Sequence, residues 1–172
     1  MSESEKLYEL LLDRGVRFLV IGVGAANYYA REAGELFATQ DVDLFLAPEP
    51  PNVLTAWECF LELGWELSAG GEPLGSPVDL WLAERVVSHQ AAVKAGRETE
   101  RFDLTLVMTG FTFDEVWADR RHFEVEGVAI PVARLEHVIA SKKKVGRPKD
   151  HLFLATHAEI LRVLGAETEP EE

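Results

Sequence analysis

Apolar positions fall in short blocks along the chain, and the spacing inside each block predicts its element. Leu7, Leu10 and Leu11 recur at helical spacing behind Ser2 or Ser4 as caps. Glu3 and Glu5 suit the positive end of that helix, and Gly15 ends it. Residues 16–21 are almost uninterrupted β-rich apolar side chains, which reads as a core strand. Gly22-Val23-Gly24 then turns the chain into a helix over residues 25–32. Asp41-Val42-Asp43-Leu44-Phe45-Leu46 alternates and then becomes apolar, a second strand closed by Pro48, Pro50 and Pro51. Asn52 is the expected cap of a helix reaching Leu63, with Val53, Trp57, Phe60 and Leu61 facing inward.

The second half is less regular. Residues 65–67 read as a short strand and the Gly- and Pro-rich residues 68–77 as a loop. Residues 78–84 read as a helical turn or two, and residues 86–93 as strand or helix, with strand preferred. Residues 102–107 alternate as a strand, 113–121 suit a short helix, and 123–126 with 128–132 form a hairpin about Gly127. Residues 134–144 and 148–164 are two closing helices, separated by Gly146. The expected class is α+β: a mixed β-sheet flanked by helices, with a C-terminal helical hairpin. One domain over residues 1–165 is expected, with a core at 16–133, closing helices at 134–165 and an acidic tail at 166–172.

Composition narrows the class of partner. A chain of 172 residues, 47% hydrophobic and 27% charged, is the size of one folded domain. Seventeen basic against thirty acidic residues give a net charge of −13, which repels phosphate backbones and disfavours long duplex DNA. The single cysteine, Cys59, excludes a disulfide framework and reads as core packing. The longest apolar run, residues 18–26, is about half a membrane span, and residues 1–5 lack the basic start of an export signal. A cytoplasmic protein without a membrane partner is expected.

Asp41 and Asp43 carry the sharpest chemical signal. Two apart on a strand, their carboxylates share a face roughly 6–7 Å apart, a spacing that lets hard oxygen donors share Mg²⁺ or Mn²⁺. Asp103 lies in an apolar strand where an uncompensated carboxylate is costly. Either it pairs with Arg101 or Arg97, or it converges on the first two acids. Three such acids could hold metals that orient a hydroxyl and neutralise charge on a transferring phosphoryl group. Gly22 and Gly24 stand where a strand enters a helix, so amide groups there can cradle phosphate. A dinucleotide fingerprint is the rival reading, but Asn27 replaces its third glycine and the acids open their strand instead of closing it. Residues 141–150 hold five bases and one acid, and Lys142 and Arg147 are the phosphate candidates within them. Lys143 and Lys144 read as a solvated helix end. The five histidines form no metal motif, and the GxSxG elbow is absent.

Phe18-Leu19-Val20-Ile21-Gly22-Val23-Gly24-Ala25, then Thr39-Gln40-Asp41-Val42-Asp43-Leu44, then Phe102-Asp103-Leu104 resemble the DNA polymerase β-type nucleotidyltransferase superfamily. The closing residues 135–142 and Gly146-Arg147-Pro148-Lys149-Asp150 are similar to its small prokaryotic branch, which includes AbiEii-type toxins of abortive-infection and toxin–antitoxin systems. The resemblance implies a nucleotidyltransferase fold and transfer of a nucleoside monophosphate from an NTP to a hydroxyl, on an RNA end or a protein, with Mg²⁺ or Mn²⁺. It implies that Asp41, Asp43 and Asp103 bind metal and catalyse, with Asp103 helping to deprotonate the acceptor. Gly22, Gly24, Thr39, Lys142 and Arg147 would then surround the nucleotide. A cognate antitoxin or a second copy of the chain is the implied protein partner, and a catalytically degenerate nucleotide-binding or antitoxin-like module is the alternative. Two positions depart from the family pattern: its Gly-Gly or Gly-Ser is Gly22-Val23 here, and its Arg two residues before the Thr is Phe37.

Overall fold

The computed structural model describes residues 1–39 and 41–168, with side chains described up to residue 165; Gln40 and residues 169–172 of the expected acidic tail lie outside it. Ser2 caps α1 (Glu3–Asp13) in a capping box: its hydroxyl accepts the Glu5 amide and the Glu5 carboxylate accepts the Ser2 amide. β1 (Phe18–Ile21) follows, then α2 (Gly22–Glu32), β2 (Val42–Leu46) and α3 (Pro50–Glu62). The middle of the chain forms β3 (Glu66–Ala69), β4 (Glu72–Pro73), α4 (Leu80–His89), β5 (Val93–Arg97) and β6 (Glu100–Thr105). After α5 (Phe113–Ala118), the hairpin β7 (Arg121–Val125) and β8 (Val128–Val132) leads into α6 (Leu135–Val145), α7 (Pro148–Thr156) and α8 (Ala158–Thr168).

All eight strands form one sheet in the order β4-β3-β5-β6-β2-β1-β8-β7. The β2–β6 and β1–β8 pairs are parallel and the rest antiparallel, so the mixed α+β sheet expected from the pattern is present. Side chains alternate between its faces. One face carries Val20, Leu44, Phe102 and Leu104, on which Tyr8, Phe60 and Trp65 pack edge-on around Phe102. Cys59 lies in this core, where burial pushes its thiol up to about 11, an inert packing residue. The opposite face carries Asp43, Asp103 and Lys94, and α5 packs on it at Phe45, through Phe113.

Several expected elements differ. Residues 86–89 belong to α4, not to a strand: the Asp79 carboxylate accepts the Leu82 amide at 3.0 Å and Gln90 ends the helix in the left-handed region. A cap at each end and the buried stripe of Ala83 and Val86 outweigh the β-branched Val86-Val87 pair. The strand starts later, at Val93, and the expected loop at 68–77 contains the end of β3 and all of β4. Asn52 does not cap α3, which begins earlier at Pro50 with Glu49 ahead of it. The Asn52 side chain instead accepts the Arg17 amide at 2.8 Å and donates to the Arg17 and Ala47 carbonyls, fastening the helix to the residues just before β1 and just after β2. The last helix is two, broken at His157, whose ring packs on Phe37 and Phe153.

Candidate active site

β2 and β6 run parallel with Asp43 opposite Asp103, so two carboxylates face each other across one strand spacing. Asp43 is half-buried, and its carboxyl is pushed up to about 6 by burial first, then by the charge and hydrogen bond of Asp103. Lys142 opposes that shift and Asp41 adds to it. Gly22 makes this packing possible. A Cβ there would stand 2.6 Å from Asp43 Oδ2, and the residue holds φ +66°.

Asp41 lies just ahead of β2 and reaches the pair only through space, while Thr39 donates its hydroxyl to the Asp41 carbonyl at 2.8 Å. Among the described residues, no three histidine, cysteine or acid side chains stand together as a preformed metal cage. Neither Arg101 nor Arg97 pairs with Asp103: Arg101 donates to the carbonyls of Glu98 and Glu100, and Arg97 pairs with Glu3. Its partner is Lys94 on the neighbouring strand, at 3.6 Å.

Two cations face the acids across a cavity. Lys142 Nζ lies 3.3 Å from Asp150 Oδ1, and Arg147 forks onto Asp150 with Nε at 2.7 Å and Nη2 at 3.2 Å. Asp150 is 1% exposed and also accepts the Arg147 amide. Burial pushes its carboxyl up, but the Arg147 and Lys142 contacts outweigh it and hold the group below its ordinary value. The basic run is therefore built around one buried acid that orients Lys142 and Arg147, while Lys143 and Lys144 are exposed.

A cavity of about 470 Å³ and another of about 580 Å³ share Asp43, Asp103, Lys142, Arg147 and Asp150. The first also has Gly22, Lys94 and Ser141 on its wall; the second has Val23, Thr39, Asp41 and Phe153. Gly24 is not brought to either cavity, since it packs against Val20 and Val42. The start of α2 has no side-chain cap, so its first amides are available to an anion beside the acids. Phe37 is buried, its backbone bonded both ways to the Asn27 amide and its ring against Phe153 and His157. It fastens the loop before β2 to α7, in place of a cation.

Lys94 and Asp150 are the residues that sequence reasoning missed. The signal for Asp150 was an acid in the first turn behind Pro148, where a carboxylate reaches back to the helix start. Lys94 had none, because its place depends on the β5–β6 register. A pair of acids that repel each other, opposed by two oriented cations and an uncapped helix start, can hold a polyphosphate with its countercharge and remove a proton from a nearby hydroxyl.

Comparison with known proteins agrees with this geometry. No curated protein matches the chain. Among solved structures, the antibiotic-resistance factor ANT(2'')-Ia in solution is similar at TM-score 0.53 and 15% identity, covering 96% of this chain and 88% of that one. ANT(2'')-Ia in complex with adenylyl-2''-tobramycin is similar at TM-score 0.53 and 16% identity, covering 95% and 93%. At such identity the likeness is one of fold, a nucleotidyltransferase-like fold. The family model described as "Nucleotidyl transferase of unknown function (DUF2204)" matches residues 2–165. The chain accordingly belongs to that family and is a nucleotidyltransferase.

Proposed function

We propose that the protein transfers a nucleoside monophosphate from an NTP to a hydroxyl acceptor and releases pyrophosphate. The observation that carries this reading is the in-register pair Asp43 and Asp103 facing Lys142 and Arg147 across one cavity. Asp43 and Asp103, with Asp41 beside them, are the residues that would hold Mg²⁺ or Mn²⁺. The raised Asp43 carboxyl fits that role, because a divalent ion relieves such repulsion. Bound there, the metal supplies charge neutralisation at the reacting phosphoryl group. Lys142 and Arg147, oriented by Asp150, take the β and γ phosphates, and the first amides of α2 take the remaining phosphate charge. The acceptor oxygen bonds to the α-phosphorus as its bond to the bridging oxygen breaks. Its proton passes to Asp103, and the electron pair leaves with pyrophosphate.

The resemblance of the motif order to AbiEii-type toxins supports an RNA end or a protein side chain as acceptor, in a toxin–antitoxin or phage-defence setting. A non-catalytic nucleotide binder is the second reading, and the observation in its favour is that Asp41 does not close a three-acid cluster. Incubation with each α-labelled NTP, Mg²⁺ or Mn²⁺ and cell extract separates them. Transfer of label that Asp43→Asn abolishes supports the enzyme, whereas nucleotide binding without any transfer supports the binder.

A further inference from the structure

The strand registers place four polar side chains in one transverse row on the open sheet face. Asp43 on β2 pairs with Asp103 on β6, Asp103 with Lys94 on β5, and Lys94 with Ser68 on β3. The row spans three strand spacings, roughly 14 Å. Two residues along, Arg101 lies opposite Gly96, and a Cβ at Gly96 would stand 3.1–3.3 Å from the Arg101 side chain, so the glycine lets the guanidinium lie flat across the sheet. Arg101 Nη1 donates to two backbone carbonyls, and among the described residues no carboxylate lies within ion-pair distance of it. Lys94, 65% exposed, stands on the wall of the catalytic cavity and also on that of a neighbouring cavity of about 840 Å³, which Arg97 and Arg101 share.

We propose that this β3–β5–β6 face seats the acceptor, and that the acceptor carries a phosphate held by Lys94 and Arg101 next to the hydroxyl presented to Asp103. The proposal rests on the transfer reading above and deepens it. The nucleotide's phosphates have their own cations in Lys142 and Arg147, on the far side of the acids, so Lys94 and Arg101 are left for a second anion. The length of the row exceeds a single sugar phosphate and suits the last nucleotides of an RNA strand. The basic run at 142–149, by contrast, is turned inward on Asp150 for its two oriented members. Lys94 also bridges the two charges it touches, balancing Asp103 on one side and meeting the phosphate on the other.

The test is equilibrium binding of a fluorescently labelled short oligoribonucleotide with a free 3′ hydroxyl, by anisotropy, to the full chain and to Arg101→Gln, Lys94→Gln and Lys149→Gln. Arg101→Gln and Lys94→Gln each weaken binding about 10-fold, the low end for a charge-assisted contact at an exposed site. Each also lowers the salt slope by about 1, while Lys149→Gln changes neither. Displacement of the probe by ribose 5-phosphate at equal phosphate concentration overturns the RNA end as occupant and leaves only a sugar-phosphate site. Equal weakening by Lys149→Gln, no binding by the wild type, or preference for an unphosphorylated Ser- and Tyr-rich peptide overturns the proposal. Binding of Mg²⁺–ATP to the same proteins separates the two readings. Oligoribonucleotide binding through Arg101 without nucleotide binding leaves the acceptor face standing and removes the transfer reading. Nucleotide transfer whose acceptor KM ignores Arg101→Gln does the reverse.

Discussion

Replacing Asp43 by Asn should stabilise the metal-free protein, although it removes a carboxylate that we propose holds the metal. The carboxyl of Asp43 sits near 6 against an ordinary 3.8, about two pH units. Each unit is about 1.4 kcal/mol, so the ionised group costs the fold about 3 kcal/mol at neutral pH. Partial exposure screens this to about 1–3 kcal/mol. Asn keeps the size and can donate to Asp103, so the variant should melt about 3–10 °C higher in EDTA at pH 7.5. The sign with pH is fixed by linkage. Between about pH 4 and pH 6 the folded protein holds a proton that the unfolded chain has released, so the wild type loses stability as pH rises through that window. The variant has no such proton, and the difference between them should open over the same window and stay constant above it. Millimolar Mg²⁺ should then raise the wild type toward the variant and leave the variant unmoved. Differential scanning calorimetry from pH 4 to pH 8 reads all three effects. A variant less stable than the wild type at pH 7.5, or a difference that ignores pH, would refute the electrostatic account of the pair.

Gly22→Ala meets both the positive φ and the Asp43 carboxylate, so we expect a loss of about 1–3 kcal/mol in urea unfolding and label transfer reduced by orders of magnitude. Wild-type transfer in that variant would show that Asp43 has room to move. Lys142→Ala should weaken nucleotide binding by about 10- to 150-fold and lower the melting temperature, since buried Asp150 keeps only Arg147. Lys143→Ala should change neither quantity in the same titration and melt, and equal effects from both lysines would show a generic basic helix end instead of an oriented site.

What the sequence made legible follows the range of the forces involved. The α1 cap, β1 and β2 are written in neighbouring residues, as are the paired acids at Asp41 and Asp43. Asp103 was legible because a carboxylate between Phe102 and Leu104 is costly wherever the strand lies. The β5 register was not legible, since it rests on pairing with residues on both sides, and with it went Lys94 and the polar row. The burial of Asp150 was hidden for a similar reason: it depends on how α7 crosses α6, and a lone acid among five bases reads locally as surface. The Val86-Val87 pair favours strand locally, whereas the helix that contains it is set by Asp79, a cap three residues ahead of the amide it accepts.

The parallel pairing of β2 with β6 also orders the assembly of the protein in time. Parallel neighbours cannot be joined by a tight turn, and here α3, β3, β4, α4 and β5 all intervene. The β5–β6 hairpin closes locally through Glu98 and Thr99 and can form early, whereas its docking on β2 is a long-range closure. That docking is the moment at which Asp103 first meets Asp43. We expect ions or protons that quench the repulsion between them to speed refolding as well as slow unfolding, an effect that stopped-flow refolding with and without Mg²⁺ reads.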